Sequence, residues 1–473
     1  MQVSSRLIQL SLALISILIS VRLISLAMYP LFDTTEARYA EIARIMFETR
    51  DWITPQFDYN IPFWGKPPLH TWFSALSFTL FGVNEFSARI PHFLTGILSL
   101  LIVYYFAKTH FSKLIAIKSI LILTTSLGFL VAIGMVMTDS LLLFSITLAM
   151  VCFYHCYFSG SKFAGLCFFV ALAIGLLAKG PVAIILIGIP LTLWSLHHKR
   201  LWHALNSLPW LAGSTLMLAL TLPWYLMAEL KTPGFLNYFL WGEHVQRFLV
   251  SGWQGDLYGS AHKEVKGTIW LFWLAVAFPW SFIAAWQVIH SVNPQQSEKS
   301  NSEKSAITKR HYFIYWTLSP MLLFTFAGNI LPAYVLPSLP AMAMLLARSK
   351  ITLRKLILLA LLSAMLILAA LGYFIAGYSS KVSHRDVLQN LSQNQLSQPI
   401  YYWHKRPFSA QFYSNGAAQR LTTVEELLIL DDSALPFILV ASEKHLFEID
   451  VYTQSQCEQI SKAKGFVLFQ CGN

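Results

Sequence analysis

Charge is what this sequence has least of. Only 12% of its 473 residues are Asp, Glu, Lys or Arg, against 56% hydrophobic, and the mean hydropathy is +0.55. A soluble domain of this size cannot cover itself in polar groups on that allowance, so the class is a polytopic α-helical membrane protein. Acids are scarcer than bases, 23 against 34, for a formal charge of +11. That surplus does not argue for nucleic acid. Most of the lysines and arginines stand in short connections between apolar runs, where they orient helices and meet anionic head groups. Cysteine is scarce too. Cys152, Cys156 and Cys167 fall inside apolar runs without metal-site spacing and are expected to be small buried hydrophobes. Cys457 and Cys471 lie in a polar tail and form a candidate disulfide if that tail faces an oxidising compartment. No ligand spacing calls for a metal or other cofactor, His197 and His198 standing among basic residues.

What is abundant is the apolar run. Stretches near the roughly 20 residues a span needs occur at about 7–28, 86–107, 114–134, 138–158, 163–178, 180–196, 207–227, 269–290, 311–328, 332–347 and 356–377, giving about 11 spans. The first follows Arg6, lacks a small-residue cleavage site and reads as a retained signal anchor. Lys108, Lys113, Lys118, Lys162, Lys199, Arg200, Lys299, Lys304, Lys309, Arg310, Arg348, Lys350, Arg354 and Lys355 all fall on one side, which the positive-inside bias makes cytoplasmic. The N-terminus is then cytoplasmic, and the loops at about 29–85 and 228–268 face outward with everything after Tyr378. This divides the chain into a membrane module, 1–378, and a small outer α/β domain, 379–473, with a strand at Pro436–Ala441 and a helix near Thr423–Leu430. The Ser/Gln/Glu/Lys-rich stretch Asn293–Thr308 reads as a flexible linker.

The stretch Tyr29–Trp72 concentrates acids, arginines, a lysine, tryptophans and prolines beside a span. Tyr39, Ile42, Ala43, Met46 and Phe47 follow helical periodicity, with Glu41, Arg44 and Glu48 opposite, as expected of an interfacial amphipathic helix. A second helix is expected from Pro67 or Pro68 to about Phe81. Asp33-Thr34-Thr35-Glu36 has the form of a capping box, and the same carboxylates, held at the membrane boundary, are candidates for a general base. Cap and base are compatible roles, and Arg38 on the same turn can pair with an acid or meet an anion. Lys66 precedes a helix N-terminus, a setting for an anion, or it snorkels to the interface. Asp139 and Lys179 each stand at the outer end of an apolar run, where an ionisable group is costly. His244 and Arg247 fall one turn apart in WGEHVQRF. An outward, aromatic-lined site with several cations and few carboxylates suits an amphiphile bearing a phosphate between a greasy tail and a polar head. Its chemistry is group transfer from a lipid phosphate.

TEARYAEIARIM, KPPLHTW, TDS at Asp139, LLAKGPVA, WGEHVQRF and LPAYVLPSLP, in that order from Asp33 to about Pro340, make the sequence resemble a known family. This is the bacterial lipid-linked-sugar transferases of the GT-C superfamily, in particular the aminoarabinose transferases of lipid A, which are similar to protein O-mannosyltransferases. The resemblance implies a GT-C-like fold with interfacial outer helices. It makes Lys66 and Lys179 ligands of the donor phosphate with His244 and Arg247 near them, Tyr334 a donor contact, Asp139 a site acid, and Glu36 and Arg38 members of the first-loop cluster. The family commonly has Asp-Glu where this chain has Thr35-Glu36, so the base falls to Asp33 or Glu36, or none is needed if the acceptor is an already anionic phosphate. The implied activity is sugar transfer from undecaprenyl phosphate to lipid A or another lipopolysaccharide component at the outer face of the inner membrane. Transfer to protein hydroxyls is the alternative, and a lipid-linked-sugar flippase the alternative of another class. A flippase should show internal repeats and midplane charges; no repeat is evident, and the charges cluster at the outer ends.

Overall fold

The computed structural model describes residues 4–472 apart from 260–261, 291–300, 378–381, 433–434 and 464. All eleven apolar runs are helical, but not all as single spans. Ser5–Ser25, Glu85–His110, Thr138–Ser159, Trp210–Lys231 and Leu353–Ile375 are each long and apolar enough to cross a membrane. A sixth crossing results if Thr268–Val276 and Trp280–Gln287, bent by 118°, count as one. Among the described residues, five helices, or six with that bent pair, meet the length and composition of a full span. The runs at 163–178, 180–196 and 332–347 form the shorter apolar helices Lys162–Ala178, Val182–His197 and Pro332–Ala347. The run at 114–134 breaks at Thr125–Ser126, and that at 269–290 breaks beside Pro279, which has no N–H to continue a helix. The two breaks mend each other, the Leu127 N–H donating to the Phe278 carbonyl at 3.1 Å. Of the expected linker, the part up to residue 300 lies outside the described residues, while 301–308 opens the helix Asn301–Phe324 rather than remaining a flexible coil.

Local sequence signals set the turns that bring charges together. Thr138–Ser159 ends at Gly160, whose φ of 66° suits a residue without a Cβ. Ser161 then accepts from the Ala164 N–H and starts Lys162–Ala178. The antiparallel pair returns to the end it left, so Asp139 in the first turn of one helix faces Lys179 just beyond the other. The opposite end of the bundle gathers histidines, His110 with His155 and His197 with His198 and His311.

A buried arginine fixes the start of the chain. Arg22 donates from Nε to the Leu130 carbonyl and from Nη2 to that of Val131, at 2.9 and 3.0 Å, satisfying the last turn of the short helix Leu127–Ala132. Gly134 permits this approach, since a Cβ there would lie 1.9 Å from Arg22 Nη2.

The first-loop helix Thr35–Thr49 departs from expectation. It is buried on both faces, with Glu41 and Arg44 as enclosed as Ile42 and Ala43. The C-terminal helix Phe408–Tyr413 covers the side expected to face water, and Glu41 meets Arg44 in a two-pronged pair, both contacts at 2.7 Å. A hairpin of β1 (Gln56–Asp58) and β2 (Ile61–Pro62) follows, and then, as expected, a helix Leu69–Phe81 begun by the two prolines and stopped at Gly82.

The C-terminal part is the expected α/β unit. Strands β3 (Ile400–Trp403), β4 (Ala418–Leu421), β5 (Phe437–Ser442), β6 (Cys457–Ala463) and β7 (Phe466–Cys471) form one sheet in the order β4-β3-β5-β7-β6. The first three run parallel, and β7 and β6 are antiparallel to their neighbours. Cys457 and Cys471 are directly opposite in register and form the disulfide.

Candidate functional site

Two cavities lie where the first loop meets the ends of the helices. One, of about 320 Å³, is polar. Arg38, Lys66, Asp139, Lys179, Arg247 and Tyr334 all line it, so the fold assembles six of the nine expected site residues. Glu243, Asp256, Tyr258, His262 and Lys405 complete its polar wall. The other cavity, of about 630 Å³, is almost wholly apolar, walled by Phe32, Leu130, Leu336, Leu371, Phe374 and neighbours. Thr34, Thr35, Met137 and Leu331 belong to both cavities, so a greasy groove opens directly onto a cationic chamber.

Within the chamber each central cation has an acid. Lys179 Nζ stands 2.5 Å from Asp139 Oδ1 and 4.5 Å from the centre of the Tyr334 ring. Glu243 bridges two cations, 2.8 Å from Lys66 Nζ and 3.0 Å from Arg247 Nη1. Burial alone would push the Glu243 carboxyl up; Lys66 and Arg247 outweigh it and hold it at about 2. Asp256 adds a second carboxylate to Arg247 at 3.4 Å. Arg38 differs from these. Its Nη1 donates to the Tyr258 carbonyl at 2.6 Å, and its buried Nε has no partner. Neither Arg38 nor Lys405 has a carboxylate partner among the described residues, so the chamber keeps positive charge for an anion.

His244, Asp33 and Glu36 fall outside the polar chamber. His244 is turned away from it, Nδ1 2.8 Å from the Phe239 carbonyl and Nε2 3.2 Å from that of Lys179. The segment Asn237–Gln246 is a π-helix, whose wider turn parts His244 from Arg247 instead of stacking them. His244 thus positions the Lys179 backbone. Gly180 makes room for it, since at its φ of 94° a Cβ would come within 2.9 Å of the imidazole.

The expected capping box at Asp33 is not formed. Thr34 is the N-cap, without a side-chain cap bond, and Asp33 faces the C-terminal unit, accepting from both the N–H and the hydroxyl of Ser409. Burial pushes the Asp33 carboxyl above its ordinary value, against the pull of those bonds. Glu36 accepts from the Phe32 N–H at 3.0 Å, two residues before the N-cap. Its other bonds go to Arg89, which reaches it from Nε and Nη2 at 2.8 and 2.9 Å, both side chains being 0% exposed. Both carboxylates border the apolar groove with their oxygens engaged.

Glu243 was visible in WGEHVQRF only as a neighbour of His244, and Asp256 and His262 carried no pattern. Lys405 comes from a tail whose docking no local signal announces.

The model of the family described as "Dolichyl-phosphate-mannose-protein mannosyltransferase" matches residues 6–239. The undecaprenyl phosphate-alpha-4-amino-4-deoxy-L-arabinose arabinosyl transferases of Aeromonas hydrophila and Aeromonas salmonicida are 28% and 30% identical over 343 and 342 residues, in each case 70% of this chain and 58% of theirs. The chain thus spans less than two thirds of the length of the curated relatives it matches. Its fold is that of the crystal structure of ArnT from Cupriavidus metallidurans bound to undecaprenyl phosphate, with a TM-score of 0.80 over 97% of both chains at 18% identity. In sequence the chain is similar to these arabinosyl transferases, and its fold is of the GT-C type. The GT-C fold extends to the archaeal oligosaccharyltransferase AglB from Archaeoglobus fulgidus, with a TM-score of 0.52 over 92% of this chain and 69% of that one at 12% identity. Thr35 lines the seam between groove and chamber.

Proposed function

We propose that this protein is a glycosyltransferase that moves a sugar from an undecaprenyl-phosphate carrier to an outer acceptor, lipid A or another lipopolysaccharide component. The observation that carries the reading is the seam at Thr34, Thr35, Met137 and Leu331, where the apolar groove joins the cationic chamber. A polyprenyl phosphate has this two-part character, and the arabinosyl transferases similar to this chain are named for such a carrier. The tail lies in the groove, and Lys66, Lys179 and Arg247 neutralise charge as the phosphate departs. Arg38 and Lys405, which form no close ion pair among the described residues, face the second anion.

The engaged state of Asp33 and Glu36 favours an acceptor that needs no strong base, as an anionic phosphate of lipid A would not. Asp139 is the carboxylate inside the chamber that keeps Lys179 oriented. The chain works as a multi-pass protein of the bacterial inner membrane with a cytoplasmic N-terminus, a helical module 1–378 and an outer α/β domain 379–473.

Sugar transfer by the purified protein from a polyprenyl-phosphate donor tests the assignment. Lys66→Ala and Lys179→Ala should each lower turnover roughly 10²–10³-fold, the scale set by losing one preorganised electrostatic contact, with the protein still in the membrane. Near-normal transfer by both variants overturns it. Mass spectrometry of lipid A and total glycans from a deletion strain identifies the acceptor.

A further inference from the structure

In the C-terminal sheet unit, three side chains of metal-ligand type converge. His404 and His445 both reach Glu448: His404 Nε2 contacts one carboxylate oxygen closely, and His445 Nδ1 lies 2.9 Å from the other. One ligand atom from each lies within 4.8 Å of the others. A point central to such a triangle is at most about 2.8 Å from each atom, so a small inward movement reaches the about 2.0–2.2 Å of zinc bonds to nitrogen and oxygen.

We propose that His404, His445 and Glu448 form a divalent-metal site for zinc, with the fourth position open to water. Two imidazoles and a carboxylate make a donor set that suits zinc.

Three further features fit a built site. The Trp403 Nε1–H donates to Glu448 Oε2 at 3.2 Å, the kind of supporting bond that orients a ligating carboxylate. His404 holds a left-handed φ of 61°, uncommon for a residue with a Cβ. Its main chain is pinned on both sides, the N–H donating to the Leu421 carbonyl at 2.8 Å and the carbonyl accepting from Arg420 Nε at 2.6 Å. The other histidine cluster, His197 with His198 and His311, has three imidazoles as its metal-type ligands among the described residues and sits among Lys199, Arg200, Lys309 and Arg310, a setting that repels a cation. His445 and Glu448 follow His404 by 41 and 44 residues, so the fold rather than their spacing brings His404 to them.

A metal here would have a consequence for the chamber. His404 precedes Lys405, which lines the chamber, and Arg406, which is paired with Asp58 of the first-loop hairpin. Fixing His404 fixes the turn that delivers Lys405.

The test is zinc binding by the full chain, purified in detergent on an affinity tag free of histidine, stripped with chelator and titrated calorimetrically, with bound metal counted by mass spectrometry. Wild type should bind one equivalent more than Glu448→Gln and one more than His445→Ala, the first a conservative change at a half-buried side chain and the second a change at an exposed one. His197→Ala should keep that equivalent. Each of the first two variants should bind at least about 100-fold more weakly at this site, beyond the about 10–100-fold that loss of a supporting bond alone costs. Equal stoichiometry and affinity in wild type, Glu448→Gln and His445→Ala overturn the site, as does wild type that takes up no zinc.

Discussion

Glu36 offers the sharpest separation between a catalytic and a structural carboxylate. Arg89 donates to the carbonyls of Leu26, Tyr29 and Pro30, at 2.7, 2.7 and 2.9 Å, besides its two bonds to Glu36. Every N–H of that guanidinium is thereby used, and it ties the end of the first helix to the start of the loop that follows it. Replacing Glu36 with alanine leaves a fully buried cation without its counter-charge, which costs about 3–5 kcal/mol. The Phe32 and Val136 N–H groups also lose their acceptor. Replacing Arg89 with methionine should cost at least as much, since it strands a buried carboxylate and three carbonyls. The double variant should cost less than the two added together, because no unpaired charge remains. Thermal unfolding of the detergent-solubilised protein, followed by size-exclusion recovery, reads these differences. Sugar transfer should fall in parallel with the folded fraction. Glu36→Ala with the stability of wild type and abolished transfer would refute this reasoning and restore Glu36 as a base.

Two further outcomes follow from charges and cross-links. Glu243 is held at about 2 in the fold against an ordinary 4.5. Its lowered value means that its contribution to stability, on the order of 3 kcal/mol at about 1.4 kcal/mol per pH unit, is complete above pH 4.5 and lost as pH falls through 2. Acid unfolding of Glu243→Gln should lack that part of the slope, and an unchanged profile would show that Lys66 and Arg247 do not hold the carboxylate. The Cys457–Cys471 disulfide has a sequence separation of 14; closing a loop of that size is worth about 3 kcal/mol. Reduction should loosen β6 and β7 in hydrogen exchange while protection at Asp139 and Lys179 stays as it was.

The sequence-to-structure comparison divides by the range of the interactions involved. The helical runs, the proline-started helix before Gly82 and the strand at Phe437–Ser442 were legible because each is set by neighbours a few residues away. So were Asp139 and Lys179, whose charges are conspicuous in apolar surroundings. The burial of Glu41 and Arg44 was not, because periodicity shows that a face is polar and not that the helix Phe408–Tyr413 will cover it. Asp33 misled for the same reason: a correct local capping pattern lost to Ser409, 376 residues away. The π-helix at Asn237–Gln246 changed the phase between His244 and Arg247, which a spacing argument takes as fixed. The breaks within the runs at 114–134 and 269–290 were not legible, because composition measures how apolar a run is and not whether it continues straight.

The seam at Thr34, Thr35, Met137 and Leu331 also bears on what happens after the reaction. Under the proposed function the sugar leaves and the carrier does not, because its tail still fills the groove beside the emptied chamber. The spent lipid has to withdraw sideways along that groove before another donor can enter. Turnover is then limited by lipid exchange as much as by bond breaking, and a carrier with a shortened tail should clear the enzyme sooner while being captured less often.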